Sequence, residues 1–175
     1  MIEKPKGLNS YILGIGSNIE PFKNVPGILD RLLDHFHQIL ISRILKTEAI
    51  GMLQDANPFL NFCIYVETDL KKEHLKNFCN SIEMALGRDR TDNLKKVKNR
   101  TADLDILLTL PYPERVISQS ELPVEKYLLP TTLELLQALQ FSGLPTFSPL
   151  DEGQEIVYKK KLIGKKPLFL KKEVF

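Results

Sequence analysis

The spacing of apolar residues changes several times between the period of a strand and that of a helix. Short apolar runs alternate with two longer segments whose apolar residues recur every three or four positions. The first of these begins at Pro21, with Asn18 or Glu20 near its cap. The pattern predicts, in order, a strand (11–16), a helix (21–36), a strand (39–45), a loop (48–58), a strand (59–68), a helix (71–86), a loop (95–99) and a strand (101–108).

This order, β-α-β-β-α-β, is typical of the ferredoxin-like arrangement of the α+β class. It predicts an antiparallel sheet with both helices on one face, so that the other face is open for ligands. The second helix has one apolar stripe and ends at Gly87. The stripe consists of Leu75, Phe78, Ile82 and Leu86.

The pattern weakens after residue 110. Prolines between Leu110 and Pro130 indicate a loop with short extended pieces. Residues 131–140 predict a helix capped by one of its first two threonines. Residues 156–175 alternate apolar and basic side chains around Gly164, which predicts a terminal hairpin.

The composition suits one globular domain. The chain has 175 residues, 43% hydrophobic and 26% charged, which is enough for a core. We expect a single domain over 1–175, with its core at about 10–110 and a divergent C-terminal extension at 111–175. The net charge of +2 gives no general argument for binding nucleic acid or an anionic membrane. Because no signal or membrane-spanning run is found, we expect a cytoplasmic protein with Cys63 and Cys79 as buried free thiols. We also expect a monomer.

The last predicted strand carries two carboxylates, Asp103 and Asp105. Strand side chains alternate between faces, so both carboxylates point the same way, roughly 6.6 Å apart. The opposite, core-facing side carries Leu104, Ile106 and Leu108. Such a pair can hold Mg²⁺, and nearby arginines can clamp the phosphates that the ion carries. Those arginines are Arg88, Arg90 and Arg100. The spacing indicates phosphoryl or pyrophosphoryl transfer, although a solvated Asp pair among ordinary surface arginines has the same pattern.

Several other chemistries find no support in the sequence. The segment Gly14-x-Gly16 lacks the third glycine of a dinucleotide fingerprint, and neither a Walker A loop nor a protein-kinase catalytic loop is present. The three histidines fit no catalytic triad or metal-ligand set. They are His35, His37 and His74. A nucleotide user with this sequence would therefore depend on arginines and metal.

Three separated motifs follow one another in a specific order. They are Tyr11–Ile19 with its Gly-Ser-Asn ending, Thr47–Gly51 followed by Phe59-Leu60-Asn61, and Ile82-Glu83 with Gly87-Arg88, Arg90 and Arg100–Leu108. In order and spacing they resemble the signature of the 6-hydroxymethyl-7,8-dihydropterin pyrophosphokinase family of folate biosynthesis. The resemblance covers about residues 10–110.

The resemblance implies Mg²⁺-dependent transfer of pyrophosphate from ATP to the dihydropterin, giving the pterin diphosphate and AMP. It implies two Mg²⁺ ions on Asp103 and Asp105, with Arg88 and Arg100 stabilising the transferring group. The implied pterin-binding residues are Gly16, Thr47, Ile50, Phe59 and Asn61. The implied ATP-binding residues are Asn80, Glu83, Arg88, Arg90, Arg100 and Ile106. The family also uses as a lid the loop that here carries Lys95, Lys96 and Lys98.

The chain departs from the family pattern mainly in the nucleotide half. The bridge from Arg88 to Arg100 is longer than usual and lacks a tryptophan-proline element. After Leu108, a Pro-His pair and an Arg-aromatic pair are missing. The local substitutes are Arg115, Lys126 and Tyr127.

Two alternatives therefore stay open. One is a divergent or non-catalytic relative that binds a pterin or a nucleotide. The other is an RNA-binding ferredoxin-like module that uses the basic cluster at 95–100. We rank the RNA module last, because its sheet would lack the closely spaced aromatic residues typical of RNA-binding sheets.

Overall fold

The molecule is built on one antiparallel sheet. The computed structural model describes residues 7–49, 57–89, 91, 93, 99–112, 114–148 and 151–173. Its elements are β1 (Asn9–Ser17), α1 (Pro21–Phe36), β2 (Gln38–Ile41), β3 (Leu45–Thr47), β4 (Phe59–Thr68), α2 (Lys72–Ala85), β5 (Asp103–Thr109), α3 (Leu129–Ala138), β6 (Ile156–Tyr158), β7 (Lys161–Ile163) and β8 (Leu168–Lys171).

The strand order confirms the predicted α+β, ferredoxin-like arrangement. The sheet runs β5-β1-β4-β2-β8, and β3 pairs with β4 beside β2. All these neighbours are antiparallel. The strand β8 extends the predicted sheet at its β2 edge, so the C-terminal extension contributes directly to the central sheet.

Helices α1 and α2 cover one sheet face, as their apolar stripes predict. Leu29 of α1 and Leu75 of α2 are fully buried in the same hydrophobic core as the β4 residue Phe62. Helix α3 covers part of the opposite face, where Leu135 packs in a second core with Ile12 of β1. The ligand face is therefore open only in part, beyond the area that α3 covers.

The predicted strand 39–45 is two strands, β2 and β3. The backbone between them uses partners distant in sequence: the N–H of Arg43 donates to Glu134 Oε2 at 3.0 Å, and that of Ile44 donates to the Gly164 carbonyl at 2.9 Å. The single-strand prediction was wrong here because a continuous apolar run does not reveal these tertiary hydrogen bonds.

A register shift in β5 corrects the predicted face of Leu108. Opposite β1, Ile12 pairs with Leu108 while Leu13 pairs with Ile106, so Leu107 is an extra residue. Such a bulge reverses the alternation of faces beyond it. Leu104 therefore lies in the core under the two N-terminal helices, whereas Leu108 lies in the core under α3.

The C-terminal predictions needed two corrections. Helix α3 begins at Leu129 rather than at a threonine cap, and the buried hydroxyl of Thr132 donates to the Leu128 carbonyl at 2.9 Å. The hairpin joins β6 to β7 through Lys159 and Lys160, both with positive φ, and not around Gly164. The chain after this hairpin returns to the main sheet as β8.

Two predictions from composition can also be compared with the structure. Cys63 and Cys79 are both buried free thiols, as expected. Among the helices in the described ranges, none is both long and apolar enough to cross a membrane.

Candidate active site

The strand register brings the two predicted halves of the site together on one sheet face. Gly16 of β1 lies opposite Asn61 of β4 on one side and opposite Asp103 of β5 on the other. Residues directly opposite in an antiparallel pair share a face. At the usual strand spacing, Asn61 and Asp103 are therefore about 10 Å apart, with the glycine between them.

The predicted pterin residues form a packed, hydrogen-bonded cluster. The Asn61 amide is buried, and its Nδ2 donates to the Thr47 hydroxyl at 2.6 Å. A Cβ on Gly16 would lie 2.5 Å from Asn61 Oδ1 and 3.3 Å from a ring carbon of Phe59. Only glycine at this position allows the amide and the half-buried ring to approach the β1 backbone so closely.

The charged half of the site is organised around Asp103. Its Oδ1 accepts a hydrogen bond from Arg88 Nη1 at 2.5 Å, and its Oδ2 forms an ion pair with Arg100. Arg88 also lies 2.9 Å from Glu83 Oε1. Both arginines predicted to clamp phosphates therefore bind a carboxylate of the protein itself.

Glu83 holds this cluster from inside the molecule. Its side chain is 0% exposed, and its Oε1 also accepts the N–H of Leu104 at 2.7 Å. Glu83, which was predicted to bind ATP, is thus a buried residue that joins α2, Arg88 and the start of β5. Asn80 lies one helical turn earlier, and its Oδ1 is buried without a hydrogen-bond partner in the described part of the chain.

Asp105 has a different environment. Its side chain is 58% exposed, and its Oδ1 is 2.9 Å from the ammonium of Lys76, which lies on α2. The ammonium also donates to the Leu104 carbonyl at 3.2 Å. An open groove of about 610 Å³ runs along this edge, lined by Lys72, Glu73, Lys76, Asn77, Asp105 and Ile106. Ile106, a predicted ATP-binding residue, therefore lies beside Asp105 in the groove.

Sequence reasoning missed a structural role of Asn18. Its buried amide donates to the Asn57 carbonyl at 2.9 Å and to Asn99 Oδ1 at 2.7 Å, and its Oδ1 accepts the N–H of Arg100 at 2.6 Å. Asn18 thus ties the segments that precede β4 and β5 to the end of β1. The Gly-Ser-Asn ending of the first strand was its only sequence signal.

The substitutes proposed for the missing histidine and arginine are widely separated. Arg115 donates to the Leu139 carbonyl and lines a cavity with Ser10 and Tyr65. Ser10 lies six residues before Gly16, or about 20 Å along β1. Arg115 is therefore excluded from the candidate site.

Tyr127 lies nearer to the charged half. Burial is the main cause that raises the pKa of its hydroxyl, and Glu125 and then Asp103 raise the pKa further. Lys126 is exposed. Ile50, Arg90 and the lysines at 95, 96 and 98 lie outside the described residues, so their predicted roles stay predictions.

The donor set fits Mg²⁺. Asp103 and Asp105 face the same side, and oxygen ligands suit this ion, which usually keeps waters and takes further oxygens from phosphates. No group of three or more histidine, cysteine or acidic side chains in the described ranges is arranged to hold a metal. A metal here would therefore have few protein ligands and would take its other ligands from phosphates.

Comparison with known proteins identifies relatives of this chain. A family model described as 7,8-dihydro-6-hydroxymethylpterin-pyrophosphokinase matches residues 12–135. Two similar proteins, from two strains of Porphyromonas gingivalis, are named 2-amino-4-hydroxy-6-hydroxymethyldihydropteridine pyrophosphokinase. Each is 31% identical over 113 residues, covering 63% of this chain and 76% of the relative. The chain belongs to the 7,8-dihydro-6-hydroxymethylpterin-pyrophosphokinase family.

Proposed function

We propose that this enzyme transfers the terminal pyrophosphoryl group of ATP to 6-hydroxymethyl-7,8-dihydropterin in a Mg²⁺-dependent reaction. The hydroxymethyl oxygen forms a bond to the β-phosphorus, the bond from that phosphorus to the α-phosphate oxygen breaks, AMP leaves and the hydroxyl proton passes to solvent. The observation that carries the proposal is the register at Gly16, which places an amide-lined cluster beside a pair of carboxylates.

Each half supplies a different part of this reaction. The Asn61 amide can match the adjacent donors and acceptors of a pterin edge, and Phe59 can stack on its ring. Asp103 and Asp105 would hold the metal, whose chemistry is to neutralise charge on the phosphates. Arg88 and Arg100 would bind the transferring group after leaving Asp103. No covalent intermediate is needed, because alignment of the two substrates accounts for much of the acceleration.

The test is a direct assay of AMP release. Purified protein is incubated with ATP, Mg²⁺ and the dihydropterin, and AMP is quantified by chromatography. We expect AMP only when all three are present, and none with a dihydropterin that lacks the hydroxyl group. Mg²⁺-independent AMP release, or AMP release without the pterin, would contradict the proposal.

A non-catalytic pterin binder is the second candidate, and one observation favours it. Both phosphate-binding arginines are engaged by Asp103, and the described segment after β5 places no histidine or arginine at the site. Calorimetric titration with the pterin and α,β-methylene-ATP separates the candidates. A pterin that binds while the analogue does not, at millimolar Mg²⁺, would favour the binder.

A further inference from the structure

We infer that Lys76 occupies, in the free protein, the place beside Asp105 that a divalent cation takes during the reaction, so that ion binding displaces its ammonium. This rests on the proposed function, because it concerns the same carboxylate. The juxtaposition is a lysine from α2 whose Nζ lies 2.9 Å from Asp105 Oδ1 and 3.2 Å from the Leu104 carbonyl oxygen. Both contacts are to oxygens, the ligand type that a hard cation selects.

Comparison with its neighbour shows that this placement is specific. Lys72 lies one turn earlier on α2 and lines the same groove. Within the described part of the chain, Lys72 forms no hydrogen bond or ion pair, as is usual for a solvated helix lysine. Lys76 instead reaches across the edge strand to the carboxylate.

The exposure of the ion pairs identifies which basic side chain leaves its carboxylate most easily. Arg88 and Arg100 are 13% and 18% exposed where they bind Asp103. Lys76 is 39% exposed and its partner is 58% exposed. Exposed pairs are weak, and lysine is a flexible point charge, so Lys76 leaves its carboxylate at the lowest cost. The lysine therefore prevents repulsion within the acidic pair while limiting its affinity for ions.

The experiment measures binding of Mn²⁺ alone by electron paramagnetic resonance, with no turnover required. We compare the wild type, Lys76→Met, the matched control Lys72→Met and Asp105→Asn. Lys76→Met should bind Mn²⁺ roughly two- to fivefold more tightly, because an exposed pair of this kind contributes up to about 1 kcal/mol. Lys72→Met should match the wild type, Asp105→Asn should bind more weakly, and thermal melting should show that all four are folded.

The outcomes separate this inference from the proposed function. Unchanged or weaker Mn²⁺ binding in Lys76→Met, or equal tightening in Lys72→Met, would overturn displacement while leaving the metal site in place, provided that Asp105→Asn weakens binding. Binding that appears only in Lys76→Met would support displacement most strongly. Absence of Mn²⁺ binding in both the wild type and Lys76→Met would overturn displacement of the lysine by an ion, whereas a metal site that is completed by the phosphates of ATP is tested separately by the AMP-release assay.

Discussion

The two halves of the site are prepared to different degrees. Around Asn61 the groups are neutral, packed and fixed by a short hydrogen bond to Thr47. Around Asp103 the groups are charged, and each carboxylate is already bound to a cation of the protein itself. The first half is held by neutral contacts, whereas the second would have to exchange its charged partners to bind metal and phosphates as proposed.

This difference follows from the cost of leaving each kind of group alone. An unpaired buried amide costs about 1–3 kcal/mol, and a half-buried charge costs more. A ligand-free site that needs two carboxylates and two arginines is therefore most stable when they pair with one another. Under the proposed function, the same pairing would keep the arginines on Asp103 until metal and phosphate bind.

The largest effect should come from Asp103→Asn. This change removes a proposed metal ligand and the partner of both arginines, and metal catalysis is worth several kcal/mol. We expect turnover to fall by about 10³-fold or more, since 1.36 kcal/mol is one decade. The AMP-release assay measures it, with Asp69→Asn at an exposed position as the matched control. Turnover within tenfold of the wild type would show that catalysis does not need the Asp103 carboxylate.

Glu83→Gln should have the next largest effect, and on stability. Removing one partner of a buried ion pair costs about 3–5 kcal/mol, and Asp103 remains near Arg88, so we expect about 3 kcal/mol. Urea unfolding measures the change. Asp105→Asn, at an exposed pair, should cost less than about 1 kcal/mol. If the two variants lose equal stability, the buried Glu83 carboxylate does not stabilise the charged half more than an exposed ion pair does.

The sequence predicted the elements that depend on local pattern. Helix α1 and strand β4 have their predicted bounds, because each carries its own periodic apolar residues. The break at Ser42–Ile44 was not predictable, since the backbone there bonds to residues more than 90 positions later at Glu134 and more than 100 later at Gly164. The extra residue at Leu107 also depends on the partner strand.

The same distinction applies to the site. The Asp103-x-Asp105 spacing placed both carboxylates on one face, and the register confirms that they share it with Gly16. Lys76 carried no signal, because a single lysine on an amphipathic helix is usually solvated. The sequence did not reveal the structural role of Glu83 either, since only the packed structure shows that its buried carboxylate accepts the N–H of Leu104.

Asn61→Ala should have a moderate effect limited to the neutral half. Leaving the polar edge of a bound pterin unpaired costs about 1–3 kcal/mol, so its affinity should fall roughly tenfold or more. Affinity for α,β-methylene-ATP should change little. Calorimetry with each ligand measures both, and Gln137→Ala, at an exposed position of α3, is the control. A similar loss for both ligands would mean that the two halves are not separable.

The smallest effect near neutral pH is expected from two thiols, one beside each half of the site, which should stay protonated and react slowly. Cys63 lies two residues after Asn61, and burial raises its pKa to about 11. Cys79 precedes Asn80 on α2, and burial raises its pKa to about 12. An unfolded thiol has a pKa near 8.5, so the folded protein keeps these protons while the unfolded chain loses them. Stability should therefore be unaffected by these groups below about pH 8.5 and decline from there toward pH 11.

Alkylation rates of the two thiols compare the rigidity of the halves directly. At pH 8, iodoacetamide should label each native thiol more than about 100-fold more slowly than the urea-unfolded chain, because only the thiolate reacts. The variant Cys79→Ala reports the reactivity of Cys63, on β4 under α3, and Cys63→Ala reports the reactivity of Cys79, on α2 itself. If the charged half rearranges more readily, Cys79 should react faster than Cys63. Saturating α,β-methylene-ATP with Mg²⁺ should then slow Cys79 while leaving Cys63 unchanged. Equal rates that do not respond to the nucleotide would mean that the exchange of ion pairs is confined to side chains and does not loosen α2.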